Sequence, residues 1–242
     1  MEKKIRSEDI LRLFERKQLN QEETVYLKYH LERLVYMTNL VRSVIGQNQS
    51  KNILDVGPHF LTSCLLRLVK PQPNISTIGF ANERLFPEQN AVRHIELDLN
   101  NCASIESDDS DAEFDLITFS ETIEHLHTSP TTILSYLSRF LKKESGAGIL
   151  IQTPNAASFL KRIVLLAGIN PYEKIRVDKA NPGHFREYTM KELEQYGNEA
   201  GFKVSFREYC SYWSGNNPVK RTIDLIPSFR EGITVLYVKN RA

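Results

Sequence analysis

The sequence has few cysteines, almost no net charge and no long apolar run. Cys64, Cys102 and Cys210 are odd in number and far apart, which argues against a disulfide framework and matches no thiolate metal site. The net charge of +1 gives no global case for binding nucleic acid or an anionic membrane, although it does not describe local basic patches. No apolar stretch approaches the roughly 20 residues of a membrane span, and the N-terminus lacks the apolar core of a signal peptide. We therefore expect a cytoplasmic protein without a membrane span.

The 242 residues suit one α/β domain with an extension. Residues 7–46 carry apolar side chains near helical spacing, with Asn20 before the longer of two helices and Gly46 as its predicted end. A polar segment, GQNQSKN, follows this helical region. We predict an N-terminal helical extension over residues 1–48 and a main domain over residues 49–242.

Short apolar strands alternate with helices from residue 52 onward. The predicted strands are NILDVG, STIGF, AVRHIELDL, FDLITFS and GILIQ, and a helix is predicted over residues 128–143. This is the spacing of βαβ units and predicts a mostly parallel α/β sheet. Two later segments, FKVSFREYCSYW and GITVLYVKN, are predicted to form an antiparallel pair. Residues 156–187 interrupt the alternation, which is typical of a functional lid.

Polar side chains follow two of the predicted strands. The strand FDLITFS ends in a cluster that contains Glu121, Glu124 and His125, and the first strand ends at Asp55 and Gly57. Open α/β sheets bind their ligands at the carboxyl ends of the strands. These positions therefore predict an enzyme site.

The chain resembles the class I S-adenosylmethionine-dependent methyltransferases. The resemblance covers residues 52 to 240 in order, and no single motif within it is decisive. It implies a Rossmann-like, seven-stranded sheet of order 3-2-1-4-5-7-6 with the last strand antiparallel, and S-adenosyl-L-methionine as the cofactor. The segments that carry it are ILDVG at 53–57, LDL at 97–99, FDLITFSETIEHL at 114–126, ILIQTPN at 149–155 and HFREYTMKELEQYGNEAGF at 184–202.

The resemblance also implies which residues bind the cofactor. Gly57 lets the backbone approach the cofactor, and Asp55 holds the turn and the cofactor's ammonium group. Asp98 is implied to accept a hydrogen bond from the adenine amino group, with Leu99 beside the ring. The full implied set is Asp55, Gly57, Pro58, Asn82, Asp98, Leu99, Ser120 and Glu121.

Two departures from the family's pattern bear on this site. The usual Asp-x-Gly-x-Gly-x-Gly turn keeps only its first glycine here, Gly57, and Pro58 follows it. The second strand normally ends in an acid that binds the ribose hydroxyls, whereas Ala81 stands here and Asn82 or Glu83 would have to substitute. A catalytically impaired subunit that binds a partner is therefore one of the alternatives that the sequence allows.

The acid–histidine cluster has two interpretations. A helix after Ser120 would place Glu121, Glu124 and His125 on one face. With His184 they resemble the metal site of the small-RNA 3′-end 2′-O-methyltransferases and of the ubiquinone-type O-methyltransferases, which implies Mg²⁺, Mn²⁺ or Zn²⁺ bound to the acceptor hydroxyl. In the other interpretation no metal is bound, and His125 or His184 acts as a general base.

The expected reaction is methyl transfer to a hydroxyl of a small molecule, a sugar or a glycan precursor, because the lid mixes aromatic, basic and apolar residues. An RNA 2′-O-methyltransferase is the alternative that the metal pattern suggests, and the near-neutral charge counts against a nucleic-acid partner. Within the lid, Arg186 and Glu187 are predicted to form a surface ion pair. The sequence predicts no oligomeric state.

Overall fold

The protein is described by a computed structural model, which covers residues 4–46, 50–80, 86–105, 113–143, 146–176, 183–212 and 218–239. Its strands are β1 (Asn52–Val56), β2 (Asn74–Gly79), β3 (His94–Glu96), β4 (Leu116–Ser120), β5 (Gly148–Pro154), β6 (Phe202–Cys210) and β7 (Gly232–Lys239). Its α-helices are α1 (Ser7–Glu15), α2 (Gln21–Ile45), α3 (Phe60–Leu68), α4 (Pro130–Leu137), α5 (Phe159–Leu166), α6 (Met190–Glu199) and α7 (Pro218–Ile223).

The seven strands form one sheet in the order β3-β2-β1-β4-β5-β7-β6. β1 pairs with β2, β2 with β3 and β4 with β5 in parallel, whereas β7 is antiparallel to both β5 and β6. All seven residues of β5 are buried, as expected for an inner strand that is covered on both faces. The predicted fold class, strand order and antiparallel last pair are confirmed.

The contacts within the chain define two compact units. The first comprises residues 1–96 and 212–214, and the second comprises residues 97–211 and 215–242. The first unit contains α1, α2, α3 and the strands β1 to β3. The second contains the strands β4 to β7 and the helices α4 to α7.

Aromatic packing and helix caps stabilise the first unit. Phe14 of α1 packs on Phe60 of α3 with the ring centroids 4.9 Å apart. Asn20 caps α2, since its side chain accepts a hydrogen bond of 2.9 Å from the Glu23 N–H, and α2 ends before Gly46 at φ +70°. Both predicted boundaries of the long helix are therefore confirmed.

In the second unit a close backbone approach fixes α6 against the sheet. Thr189 caps α6 in a capping box with Glu192. The Tyr237 hydroxyl of β7 donates a hydrogen bond of 2.6 Å to the Leu193 carbonyl. A Cβ atom on Gly197 would lie 2.3 Å from Cε1 of the Tyr237 ring, so only glycine fits at this position.

Two predicted elements are shorter in the structure. The third strand was expected over AVRHIELDL but spans only residues 94–96, because Asp98 caps a 3₁₀ turn that begins at Leu99. The helix predicted over residues 128–143 ends at Leu137. The backbone beyond it pairs with the start of the fourth strand, where the Phe114 N–H donates to the Phe140 carbonyl at 3.1 Å.

All three cysteines are free and buried. None of the helices in the described ranges is both long and apolar enough to cross a membrane.

Candidate active site

A buried carboxylate holds the turn after β1. Asp55 is 2% exposed, and its Oδ2 accepts a hydrogen bond of 2.6 Å from Thr62 Oγ1. The same hydroxyl oxygen accepts the His59 N–H at 2.9 Å. Gly57 adopts φ +70°, and its N–H donates to the Ile78 carbonyl at 2.9 Å. Asp55 therefore acts on this turn through Thr62, a residue that sequence reasoning missed.

Loss of the family's second glycine causes no backbone strain in this turn. His59 stands at that position with φ −150° and ψ −153°, which is extended backbone that any residue adopts. Its ring packs edge-on against Tyr26, with the centroids 4.6 Å apart. The other departure, around Asn82, lies outside the described residues.

A buried cation on α2 lies within the same group of side chains. Arg33 is 3% exposed, and its guanidinium donates to His30 Nδ1 at 3.2 Å and to the Tyr26 hydroxyl at 2.7 Å. Burial, and then the charge of Arg33, lowers the pKa of His30 to about 3 and that of His59 to about 4. Both imidazoles are therefore neutral at physiological pH. Sequence reasoning missed this cluster because its three members on α2 look like an ordinary helix face.

In the second unit Asp98 caps its own loop. Its Oδ1 accepts the Asn100 N–H at 2.9 Å, and its Oδ2 accepts Asn101 Nδ2 at 3.1 Å. A carboxylate has about four acceptor sites, so these two bonds leave capacity for further donors. Leu99 beside it is buried.

The end of β4 is fixed by Gln152 of β5. The fully buried Gln152 side chain accepts a hydrogen bond of 2.6 Å from Ser120 Oγ and donates one of 2.9 Å to Glu121 Oε1. Glu121 has φ +51°, a left-handed conformation that is uncommon for a residue other than glycine. Such backbone strain occurs preferentially at functional sites, where surrounding contacts over-determine it.

The helix considered for the segment after Ser120 is absent. Ile123–His125 form only a single 3₁₀ turn. In the described residues the metal-ligand candidates that lie together are Glu124, His125 and His184, without Glu121. The expectation that Glu121 shares a helix face with Glu124 and His125 is therefore wrong, since the turn at Glu121 interrupts the helical path.

Backbone hydrogen bonds bring His184 to this turn. The Glu124 carbonyl accepts the Phe185 N–H at 2.8 Å and the Arg186 N–H at 3.3 Å. The rings of His125 and His184 then meet edge to face, 4.8 Å apart. One ligand atom from each of Glu124, His125 and His184 lies within 4.8 Å of the others. Residues almost 60 positions apart in the sequence thus form one cluster.

Hydrogen bonds determine which nitrogen of each histidine is available. His125 Nδ1 lies 2.9 Å from the Gly183 carbonyl oxygen, which can only accept, so Nδ1 carries the proton. His184 Nδ1 lies 3.2 Å from Glu187 Oε1, a carboxylate that fixes the same tautomer. In the neutral state, Nε2 of both rings keeps its lone pair for a metal ion or a proton.

Glu124 is a buried acid, and one of its carboxyl oxygens has no hydrogen-bond partner in the described part of the chain. It is fully buried, and its Oε2 accepts a hydrogen bond of 2.9 Å from Thr153 Oγ1. No partner for its Oε1 is found among the described residues. Burial, followed by the nearby Glu121, raises the pKa of Glu124 to about 8.

Glu187 supports His184 and is not part of the predicted surface pair. It binds Lys161, and Arg186 pairs with Glu192 at 2.6 Å instead, so the predicted Arg186–Glu187 pair is wrong. Burial opposes ionisation of Glu187, but the hydrogen bond from His184 and the charge of Lys161 outweigh it and lower its pKa. Burial likewise opposes the charged form of His184, but its bond to Glu187 raises its pKa.

The family model for a methyltransferase domain matches residues 29–205 of the chain. The chain therefore belongs to this methyltransferase family. Together with the fold, the match confirms the predicted class, an S-adenosylmethionine-dependent methyltransferase of class I.

Solved structures share the fold at low sequence identity. A SAM-dependent methyltransferase from Archaeoglobus fulgidus is 16% identical with a TM-score of 0.58, covering 91% of this chain and 100% of that one. Magnesium protoporphyrin IX methyltransferase from Synechocystis PCC 6803, with bound SAH, is 10% identical with a TM-score of 0.55. The match covers 95% of this chain and 92% of that one. The [4+2]-cyclase SpnF is 13% identical with a TM-score of 0.57, and the match covers 88% of this chain and 82% of that one. A search of curated proteins finds no match.

Proposed function

We propose that the protein methylates a hydroxyl oxygen of a small molecule, a sugar or a glycan precursor, with His184 as the general base. S-adenosylmethionine supplies an electrophilic methyl group bound to a sulfonium sulfur. The O–CH₃ bond forms as the S–CH₃ bond breaks, and the hydroxyl proton passes to a base. The observation that carries the proposal is the Glu187–His184 hydrogen bond, which presents a neutral Nε2 of raised basicity.

Glu187 is a positioning residue in this scheme. Its carboxylate fixes the tautomer of His184 and stabilises the imidazolium that forms when the hydroxyl proton is taken. Lys161 binds the other carboxylate oxygen of Glu187, Oε2. Burial lowers the pKa of His125, which makes His125 the weaker base of the two.

We propose that the implied cofactor residues divide into three groups. Asp55, Gly57 and Pro58 shape the turn that takes the amino-acid end of the cofactor, and the positive φ of Gly57 fits a turn that brings backbone close to a ligand. Asp98 and Leu99 take the adenine, and Ser120 with Glu121 lines the wall beyond β4. Asn82 stays a prediction outside the described residues.

The base assignment is tested by substituting His184. S-adenosylhomocysteine release is measured over a panel of hydroxylated acceptors. We expect His184→Asn to lower turnover by about 10²- to 10⁴-fold while cofactor affinity is kept. His127→Asn, a matched change of an exposed histidine, should leave turnover unchanged.

The pH–rate profile tests whether Glu187 acts on the base His184 or only stabilises the fold. Because Glu187 raises the pKa of His184, Glu187→Gln should move the acidic limb of the pH–rate profile to lower pH and reduce kcat. Full turnover of His184→Asn, or an acidic limb unmoved in Glu187→Gln, would remove His184 from the role of base.

A divalent cation is the second candidate, favoured by Oε1 of Glu124, for which the described ranges contain no hydrogen-bond partner. One carboxylate oxygen and two imidazole nitrogens form a mixed set that suits Zn²⁺ or Mn²⁺ better than Mg²⁺. The hydrogen bonds from Nδ1 of His125 and His184 are of the kind that orients metal-bound histidines. Such an ion would lower the pKa of the acceptor hydroxyl and replace the base.

Thermal unfolding tests the cation. We expect Zn²⁺ or Mn²⁺ to raise the Tm of the wild type, because an ion that binds only the folded state stabilises it. Glu124→Gln should abolish the rise, and Glu96→Gln, at an exposed carboxylate, should keep it. A Tm rise of equal size in both variants, or no rise in the wild type, would rule out a cation at Glu124. The general base would then be the only one of the two candidates left.

The remaining alternatives are separated by binding measurements. For an RNA acceptor, affinity for short RNA should fall steeply with salt. For an impaired subunit that binds a partner, calorimetry should detect no S-adenosylmethionine binding at millimolar cofactor.

A further inference from the structure

Helix α5 presents an apolar surface that the fold does not use. None of its residues is buried, and Leu160 and Leu166 are 70% and 84% exposed. The ring of Phe159 packs on Phe229, 5.3 Å between centroids, so α5 adjoins the turn that Leu225 and Ile226 precede. We call this surface the apolar face; its exposed members are Leu160, Ile163, Leu165, Leu166, Ile169, Leu225 and Ile226.

An apolar face of this kind has a cost for a protein in water. Each square ångström of exposed apolar surface forgoes about 25 cal/mol of transfer free energy. Single exposed leucines need no explanation, but a continuous group of aliphatic side chains marks a site of interaction.

The charges around the apolar face have one predominant sign. Residues 156–176 contain four basic residues and one acidic residue. Residues 221–230 contain two basic residues and one acidic residue. These segments carry net +4, whereas the whole chain carries +1, so the remainder is net negative. Arg162, Lys174 and Arg221 of these segments are exposed.

We propose that the apolar face is a peripheral membrane-binding surface for a bilayer that contains anionic lipid. A short helix with aliphatic side chains and flanking basic residues lies in the interface plane, where the apolar groups enter the acyl boundary and the cations meet the headgroups. The face is built of leucine and isoleucine. Protein-binding hot spots are instead rich in tryptophan, tyrosine and arginine, so the composition favours lipid as the occupant.

The apolar face is also connected to the catalytic cluster. Lys161 of α5 binds Glu187, and its ammonium donates to the Asn155 carbonyl at 3.3 Å. Glu187 in turn holds His184. Membrane contact at α5 would therefore be connected to the proposed base, His184, through the Lys161–Glu187 ion pair. The proposal itself rests on exposure and charge and does not depend on the reaction.

Vesicle co-sedimentation of the full chain tests the proposal. The vesicles are phosphatidylcholine alone or phosphatidylcholine mixed with phosphatidylglycerol. We expect the wild type to bind the mixed vesicles, less tightly as salt rises, and to bind phosphatidylcholine weakly. The double variant Leu160→Glu/Leu166→Glu should lose at least about tenfold in partition to mixed vesicles, since two apolar anchors become anionic.

The matched control is Val25→Glu, which changes a side chain of α2 that is 61% exposed. It should bind the mixed vesicles as the wild type does, and both variants should keep the wild-type Tm because the changed side chains are exposed. The proposal is overturned if the wild type stays in the supernatant, if it binds both vesicles equally, or if the double variant still binds. It is also overturned if light scattering shows a dimer that the double variant dissociates, because the face then joins two copies.

Discussion

Glu124 is held in a state that proteins rarely tolerate without a function. A fully buried carboxyl group normally has hydrogen-bond partners on both oxygens, and here Oε1 has none among the described residues. Burial and the neighbouring Glu121 raise its pKa to about 8. At neutral pH and without an ion, Glu124 is therefore largely protonated, and a metal ion would have to displace that proton.

This protonation makes stability depend on pH. The pKa of Glu124 is raised from 4.5 to about 8, so between these values the folded protein holds a proton that the unfolded chain has lost. The contribution is fully present below about pH 4.5 and is lost as pH rises towards 8. The expected slope approaches about 1 kcal/mol per pH unit.

Urea unfolding in chelator, at about pH 5 and about pH 8, measures this slope. Glu124→Gln should flatten it, and Glu96→Gln, at an exposed carboxylate, should keep it. An equal slope in the wild type and Glu124→Gln would show that Glu124 ionises normally.

At the same scale, the sequence predicted the members of the cluster but not their supports. Glu124, His125 and His184 were expected together and lie together. The hydrogen bond of Gln152 to Glu121 and that of Glu187 to His184 were missed, because the partners are 31 and 3 residues apart and no sequence pattern indicates such bonds. Glu121 was misplaced because helical spacing was assumed where the backbone turns left-handed.

At the scale of elements, predictions succeeded where local chemistry decides the structure. The Asn20 side chain and the conformational freedom of Gly46 each set a boundary of α2 by themselves. The strand before Asp98 and the helix after Thr128 were predicted too long. The strand ends at a local cap, in which Asp98 accepts the Asn100 N–H, and the apolar pattern did not indicate this cap. The helix end depends on backbone pairing with Phe114, which is a tertiary contact.

The contact between α6 and β7 gives a prediction at this scale. Gly197→Ala would place a methyl group against the buried Tyr237 ring, whose hydroxyl is bound to the Leu193 carbonyl. Overpacking costs about 1–3 kcal/mol, which exceeds the gain of up to about 1 kcal/mol from helix propensity.

We therefore expect Gly197→Ala to lower the Tm in calorimetry, and Asn198→Ala, at the exposed neighbour, to have little effect. An unchanged or higher Tm for Gly197→Ala would mean that α6 is free to move away from Tyr237.

At the scale of the whole molecule, the fold was predicted from the alternation of strands with helices and from the order of the segments that resemble the family. Strands and helices follow one another at βαβ spacing and two strongly β segments close the chain, which predicted a mostly parallel sheet with an antiparallel pair. The order β3-β2-β1-β4-β5-β7-β6 was implied by the resemblance to the class I methyltransferases, and it is confirmed. The acceptor does not follow from the fold. A methyltransferase and a [4+2]-cyclase share it with this chain at similar TM-scores.

Cofactor binding is the property on which the proposed reaction depends. Asp98 is the residue proposed to recognise the adenine, and it also caps its loop through Asn100 and Asn101. A loop defect must therefore be distinguished from a lost contact. Asn101→Ala loosens the same turn but keeps the Asp98 carboxylate, which makes it the matched control.

Titration calorimetry with S-adenosylmethionine tests the account most directly. We predict one site per chain in the wild type, affinity near the wild-type value for Asn101→Ala, and affinity at least about tenfold weaker for Asp98→Ala, which is about 1.4 kcal/mol. No heat of binding at millimolar cofactor, or equal affinity in Asp98→Ala and the wild type, would contradict it.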